Sequence, residues 1–340
     1  MRYLSIATTK KISRIGLGTW QFGSSEWGYG EAYSERGAYQ IVRRALELGV
    51  TLFDTAEIYT AGRSERILGR ALGPDRESVF IADKIFPLAR GGPLLKKRAI
   101  ASAERLGVPR LDLYQVHYPN PLAGDGTLMR GMRSLQQAGL VDEVGVSNYS
   151  VARWRAAERA LHSRVLSDQV EYSLVSRSPE ADLLPFAESH GRAVIAYSPL
   201  AQGLLSGRYH GTSRPTDSLR TASSYFHPEN IRRTEPLIGV LREVAHAHSA
   251  TPAQIALAWV IRHPVVAAIP GASSIEQLEE NVAAAEIRLA DDEYQALQSV
   301  SAWSRDIAAP DTSFRSKLAE LKHCAGIGRY WVRHYRSIIQ

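Results

Sequence analysis

Sulfur is scarce in this 340-residue chain, which has one cysteine, Cys324, and three methionines. A single thiol excludes an intramolecular disulfide and any zinc site built on cysteines. That usage suits a reducing compartment, so a cytoplasmic protein is expected. No run of 18 apolar residues occurs, and the first twenty residues hold no apolar stretch of the signal-peptide kind. Neither membrane insertion nor export is expected. A P-loop, a His-Glu-x-x-His motif and a Gly-x-Ser-x-Gly elbow are all missing. His246 and His248 lie two apart in a helix-like run and face different sides of it, a poor metal pair, so no metal is expected.

A strong charge bias is also lacking from most of the chain. Residues 301–340 hold seven Lys/Arg against three acids, a balance of +4 within the total of +6, so the first 300 residues carry only +2. That distribution argues against a nucleic-acid surface. Apolar content of 44% suffices for a sizeable core, and this length fits a single large α/β barrel. The sequence names no oligomer interface, and a homo-oligomer stays open.

What is present is a regular alternation. Strand-like runs fall at 15–17, 52–54, 79–84, 111–117, 141–147, 167–172, 192–197 and 266–269. Amphipathic segments lie between and after them, at about 38–48, 64–71, 94–106, 127–138, 151–161, 181–190, 233–263 and 275–285. Ser64, Thr251 and Ser273 or Ser274 suit helix N-caps, and Gly107 and Gly139 suit helix ends. Eight βα units with right-handed crossovers predict an α/β fold, a (β/α)8 TIM barrel over 1–300 with a basic C-terminal extension over 301–340. Residues 200–232 form a long polar loop between units, of the length that usually carries function.

Three successive strand-like runs end in titratable residues: Asp54, Lys84 and His117, with Tyr59 in the loop after the first. In a parallel barrel, those ends gather at one mouth. A tyrosine is a weak acid at neutral pH, and a nearby ammonium favours its phenolate. Lys84 is placed to act so, with Asp54 as its partner, and His117 to orient a carbonyl oxygen beside Tyr59. Each residue alone has a structural reading: packing phenol, solvated charge, turn cap, core histidine. Their ordered placement favours acid–base chemistry. The strand ends offer no paired carboxylates and no ligand cluster, which argues against glycosidases and metal-dependent hydrolases.

Here the sequence resembles the aldo-keto reductase family. The matching residues are Ile15-Gly16-Leu17-Gly18-Thr19-Trp20, then Phe53-Asp54-Thr55-Ala56-Glu57-Ile58-Tyr59, then Lys84 and His117, over about residues 11–300. The resemblance implies an (α/β)8 barrel that reduces aldehydes or ketones with NADPH. It implies Tyr59 as general acid, Lys84 lowering its pKa, Asp54 pairing with Lys84, and His117 orienting the carbonyl. The chain looks closer to the branch of voltage-gated potassium channel beta subunits and bacterial relatives than to aldose reductases. The channel subunits lack the histidine, so His117 leans this chain towards catalysis over a nucleotide-binding, partner-docking role.

Gly16-Leu17-Gly18 begins like a dinucleotide fingerprint, but the pattern stops at Gln21 and no acidic residue follows about 20 positions on. The glycines are read as permitting a tight exit from the strand, with Gly18, Thr19, Trp20 and Asp54 facing the cofactor. Ser147, Asn148 and Gln169 end strands five and six and suit hydrogen bonds to a carboxamide. Tyr197 suits stacking on nicotinamide. Ser198, Pro199, Leu200, Gly203 and Arg208 follow strand seven, where small residues admit a pyrophosphate and a guanidinium suits a phosphate. Gly271 and Ser273 open the last helix, whose start favours anions. Gln277, Glu280 and Asn281 share one of its faces. By resemblance this segment grips the adenosine end. Gly271 stands where aldose reductases carry lysine, which leaves Ser273, Arg208 and Arg220 to select NADP, the expected cofactor. Substrate choice is expected from Trp20, the 21–35 loop, residues 86–93, 118–126 and the extension. Trp27, Tyr29 and Tyr118 point to an apolar or ring-bearing carbonyl.

Overall fold

The computed structural model describes residues 1–24, 30, 34–87, 92–120, 125–210, 213–216, 220–221 and 223–305. Trp27, Tyr29, Cys324, parts of the three specificity segments and the extension beyond 305 lie outside the described residues.

Eight strands run β1 (Leu17–Gly18), β2 (Leu52–Asp54), β3 (Phe80–Ile85), β4 (Leu111–Val116), β5 (Val141–Ser147), β6 (Ser167–Glu171), β7 (Ala193–Tyr197) and β8 (Val266–Ala268). Each pairs in parallel with the next in chain order. Parallel bridges Ile15–Ala268 and Gly18–Gly271 join the last strand to the first, with Gly16 N donating to Ala268 O at 2.8 Å. The sheet therefore closes into the (β/α)8 barrel that the alternation predicts.

The helices among the described residues are α1 (Glu35–Glu47), α2 (Arg63–Leu72), α3 (Gly92–Leu106), α4 (Gly126–Gln137), α5 (Val151–Leu161), α6 (Leu183–Ser189), α7 (Pro228–Ala247), α8 (Pro252–Val260), α9 (Ile275–Ala283) and α10 (Asp291–Val300). The 233–263 segment is thus two helices. Ser249 turns left-handed between them, and Thr251 opens α8 in a capping box with Gln254. The helix α10, which no periodicity signalled, packs on α7.

Strand parity sorts the core. Leu52, Phe80, Ala82, Leu113 and Ile195 fill the barrel interior, together with Leu4 and Ile12. Leu4 N donates to Ile12 O at 2.8 Å, so an N-terminal hairpin supplies that part of the interior core. Phe53, Ile81, Ile85 and Tyr114 face outward into the helical layer. Asp54 and Lys84 share the inward parity of Leu52 and Phe80, and so project into the barrel above this core.

Two local expectations need correction. Ser64 does not cap α2; that helix starts at Arg63 after Gly62, and Ser64 Oγ is buried, 2.7 Å from Thr19 Oγ1 and 3.0 Å from Thr55 Oγ1. Nor do Gly16 and Gly18 serve a turn. A Cβ at Gly16 would lie 2.8 Å from Leu52 O, and one at Gly18 would lie 2.8 Å from Ile269 O. They let β1 press against both of its neighbours.

Candidate active site

The inward polar residues meet at the C-terminal mouth. Lys84 Nζ donates to both Asp54 carboxylate oxygens at 2.7 Å and to Thr55 O at 2.8 Å. Gln169 Nε2 donates to Asp54 Oδ2 at 2.7 Å. The ion pair is sealed: Lys84 is 1% and Asp54 2% exposed. Burial pushes Asp54 up and Lys84 down, and their contact opposes both shifts. A buried pair survives only when its remaining donors and acceptors are met, and here Thr55 and Gln169 meet them.

Tyr59 is half-buried above this pair. Lys84 Nζ lies 4.9 Å from its ring centroid. The His117 ring stands edge-on to it at 5.7 Å and 77°. Tyr118 stacks on His117 at 4.8 Å, and Trp20, 48% exposed, forms a second wall 6.5 Å from Tyr59. Trp20 is a mouth residue, as expected, rather than a core aromatic. The loop that carries Tyr59 is unusual. Thr60, Ala61 and Gly62 follow it with φ of 48°, 54° and 79°, three left-handed residues in succession. Non-glycine residues in that region cost about 1–3 kcal/mol each and cluster at functional sites. Thr60 Oγ1 donates to Phe22 O at 3.2 Å and helps hold the turn.

Electrostatics corrects one expectation. Burial first, then Asp54, pushes the Tyr59 phenol well above its ordinary value of 10.0. The nearby Lys84 charge does not outweigh these effects in the resting site. Tyr59 is therefore fully protonated at neutral pH. Burial, then Lys84, holds His117 well below its usual 6.5, so the imidazole is neutral. Its Nδ1 is buried with no hydrogen-bond partner among the described residues.

The residues expected at a cofactor sit around the same mouth. Tyr197 OH donates to Asn148 Oδ1 at 3.0 Å, Asn148 Nδ2 to Ser147 Oγ at 3.0 Å, and Ser147 Oγ to Gln169 O at 2.8 Å. Through Gln169 this chain reaches Asp54 and Lys84. Asn148, Ser198, Ala201 and Gln202 are all left-handed, at the ends of β5 and β7. Pro199 is buried, Leu200 and Gly203 are half-buried, and Arg208 is exposed. Arg220 Nε donates to Gln202 O at 2.9 Å, which fixes that part of the long loop. Gly271 is exposed, and a Cβ there would lie 2.9 Å from Gln21 Oε1. Ser274 is the cap of α9. Ser273 donates through N and Oγ to Gln277 Oε1 at 3.0 and 3.1 Å, and Asn281 Nδ2 donates to Gly271 O at 3.3 Å.

Three of the expected cofactor residues hold the protein together in this arrangement. Thr19 Oγ1 donates to Asp54 O at 2.7 Å, Gln169 commits its amide nitrogen to Asp54, and Glu280 accepts from Thr251 Oγ1. Sequence reasoning missed the buried partners behind the Tyr59 loop, Glu57 with Arg98 and Glu65 with Arg105. Nothing in the linear spacing links residues some forty positions apart. No group of three or more metal-ligating residues occurs among the described residues, and no helix there is long and apolar enough to cross a membrane.

A family model described as Aldo/keto reductase family matches residues 14–302. The chain belongs to the aldo/keto reductase family. This aldo/keto reductase is 53% identical over 308 residues to an uncharacterized oxidoreductase of Mycobacterium tuberculosis, covering 91% of the chain and 95% of that protein. It is 34% identical to the methylglyoxal reductase of Escherichia coli, over 84% of the chain and 90% of the relative. It is 32% identical to a putative voltage-gated potassium channel subunit beta of Schizosaccharomyces pombe, over 81% and 85%. Among solved structures it is similar to an aldo/keto reductase of Klebsiella pneumoniae in complex with NADP and acetate. That match has a TM-score of 0.71 and 30% identity, covering 88% of the chain and 95% of that structure.

Proposed function

We propose that this aldo/keto reductase is a cytoplasmic, NADPH-dependent reductase that converts an aldehyde or ketone to the alcohol, reversibly, with Tyr59 as general acid. The observation that carries the reading is the convergence of Tyr59, His117 and the Lys84–Asp54 pair at one mouth. The Tyr59 ring lies 5.7 Å from that of His117 and 4.9 Å from Lys84 Nζ. A nicotinamide nucleotide fits the surrounding residues. A half-buried Tyr197 ring offers a stacking face, Asn148 and Ser147 offer amide and hydroxyl groups, and the capped start of α9 and exposed Arg208 suit phosphates. The likeness to a structure holding NADP supports the same choice.

When bound, the nucleotide supplies the hydride. The chain's own residues supply the proton and the geometry. The neutral His117 imidazole points the carbonyl oxygen at the Tyr59 hydroxyl. As negative charge grows on that oxygen, Tyr59 O–H gives it the proton, and the developing alkoxide is a far stronger base than a phenolate. Lys84 stabilises the phenolate left behind, and Asp54 with Gln169 holds Lys84 in place. A positioned proton donor is worth about 10²–10⁴ in rate. Trp20 and Tyr118 wall the place of the transfer on two sides.

The test is turnover of a carbonyl panel by purified protein with NADPH and NADH in parallel. Methylglyoxal, simple aliphatic aldehydes and aryl aldehydes and ketones belong in it. Turnover of at least one member, faster with NADPH, is expected. Nucleotide binding with no turnover of any member would contradict the reading and favour the partner-docking alternative.

A further inference from the structure

The Tyr59 loop is clamped from behind by a buried ion pair that the acid–base roles above leave unused. Past the end of β2, Thr55 N donates to Ala82 O at 3.0 Å and Glu57 N to Lys84 O at 3.3 Å, so the loop keeps pairing with β3. At the next rung the backbone turns away, and a side chain takes over. Glu57 Oε1 accepts from Phe86 N at 2.7 Å. Arg98 on α3 closes the arrangement: its Nε donates to Glu57 Oε2 at 3.0 Å, and its Nη2 donates to Glu57 Oε1 and, at 3.0 Å, to Phe86 O. Glu57 is 3% and Arg98 8% exposed. One carboxylate and one guanidinium thus replace a ladder step, with both backbone groups of Phe86 satisfied. Bidentate, charge-assisted bonds of this kind fix orientation as well as distance.

Phe86 carries that constraint across the mouth. Its ring meets Tyr118 at 6.4 Å and 71°, Tyr118 stacks on His117, and His117 stands edge-on to Tyr59. His117 N also donates to Ile85 O at 2.9 Å, one residue before Phe86. The contacts form a closed circuit: Tyr59 loop, Glu57, Phe86, Tyr118, His117 and back to Tyr59. The clamp is thus one of the links that set the Tyr59–His117 separation, beside the strained turn after Tyr59 and the backbone bonds to β3.

We infer that Glu57 and Arg98 are positioning residues for proton transfer, holding the Tyr59 hydroxyl at its working distance from the oxygen that His117 orients. The inference rests on Tyr59 being the general acid. Neither residue touches the mouth, so neither is expected to bind nucleotide or substrate. A misplacement of about 1 Å in a donor of this kind costs about 10²-fold in rate.

The experiment uses the full chain and the best carbonyl from the panel. Arg98→Lys keeps the charge and loses the second prong. The pair Glu57→Gln with Arg98→Gln removes both charges together, so neither is left buried and unpaired. Single-turnover rates of NADPH oxidation are measured per nucleotide-binding site, with NADPH affinity alongside, in the native and Tyr59→Phe backgrounds. The expected result is a rate lower by about tenfold for Arg98→Lys and about 10²-fold for the double variant. NADPH affinity should stay within about threefold, and neither variant should slow Tyr59→Phe further, because residues acting through one group are non-additive. A purely structural role would lower the yield of binding sites and leave the rate per site unchanged. Native rates per site in the clamp variants, or equal losses in both backgrounds, would overturn the inference. If the double variant does not fold, Arg98→Lys decides by the same criteria. A native rate in Tyr59→Phe itself would remove the acid reading and this inference with it. Collapse in Tyr59→Phe with native clamp variants would remove only the inference.

Discussion

Replacing Asp54 by asparagine isolates one charge at the centre of the site. The side chain keeps its shape and an oxygen for Lys84, yet the ammonium loses its counter-ion in a place where it is 1% exposed. Removing one partner of a buried pair costs about 3–5 kcal/mol when the other stays charged. Lys84 has an escape, since it can shed its proton. Burial already holds it below the ordinary 10.5, with Asp54 opposing that shift; without Asp54 the opposition ends. The sign follows. Between the folded pKa and the unfolded value of about 10.4, the unfolded chain binds more protons, so stability rises with pH by up to about 1.4 kcal/mol per unit. Urea unfolding of the native protein and Asp54→Asn, at intervals from pH 6 to 10, reads this directly. The deficit should be largest at the acid end and shrink as pH rises. A deficit that does not change with pH, or none at all, would refute the picture of a buried ammonium held by Asp54.

Other consequences are independent of that pair. His117 is held well below 6.5, so the unfolded chain binds more protons in the window below that value and stability falls as pH drops through it. His117→Gln should flatten the acid limb of a pH–stability curve, and an unchanged limb would mean that His117 does not contribute to it. A Cβ on Gly69 would lie 2.5 Å from Leu106 O, where α2 crosses α3, so Gly69→Ala should cost about 1–3 kcal/mol in urea unfolding. Arg208→Ala should weaken NADPH by about tenfold or more and NADH less, since a hydrogen bond to a charged group is worth about 1.5–3 kcal/mol. Equal losses would mean that Arg208 does not read the 2′-phosphate.

The barrel was legible because its strands are buried on both faces and read as apolar runs. β2 and β5 have the limits that the sequence predicts, and the other strands differ by two residues or fewer at either end. Asp54, Lys84 and His117 were legible because each closes an apolar run at the mouth end, and strand parity turns all three inward. What escaped depended on contacts distant in sequence. Gln169 looked like a free amide for a cofactor, but its nitrogen is taken by Asp54, 115 positions away. Ser64 looked like a cap because it precedes a helical run, yet it is drawn inward by Thr19 and Thr55. The helix start at Pro252 was legible from Thr251 and Pro252, although the apolar period runs on across it from 233 to 263. The Glu57–Arg98 clamp gave no signal, since its partners lie 41 positions apart, one on a loop and one on a helix.

Tyr59→Phe removes the proton donor's hydroxyl while keeping the ring beside His117. The decisive measurement is single-turnover reduction of the best panel carbonyl by that variant preloaded with NADPH, with nucleotide affinity determined on the same sample. With Tyr59 as the general acid, NADPH affinity should stay close to native and the rate should fall by about 10²–10⁴. A rate close to native with bound NADPH would contradict that role.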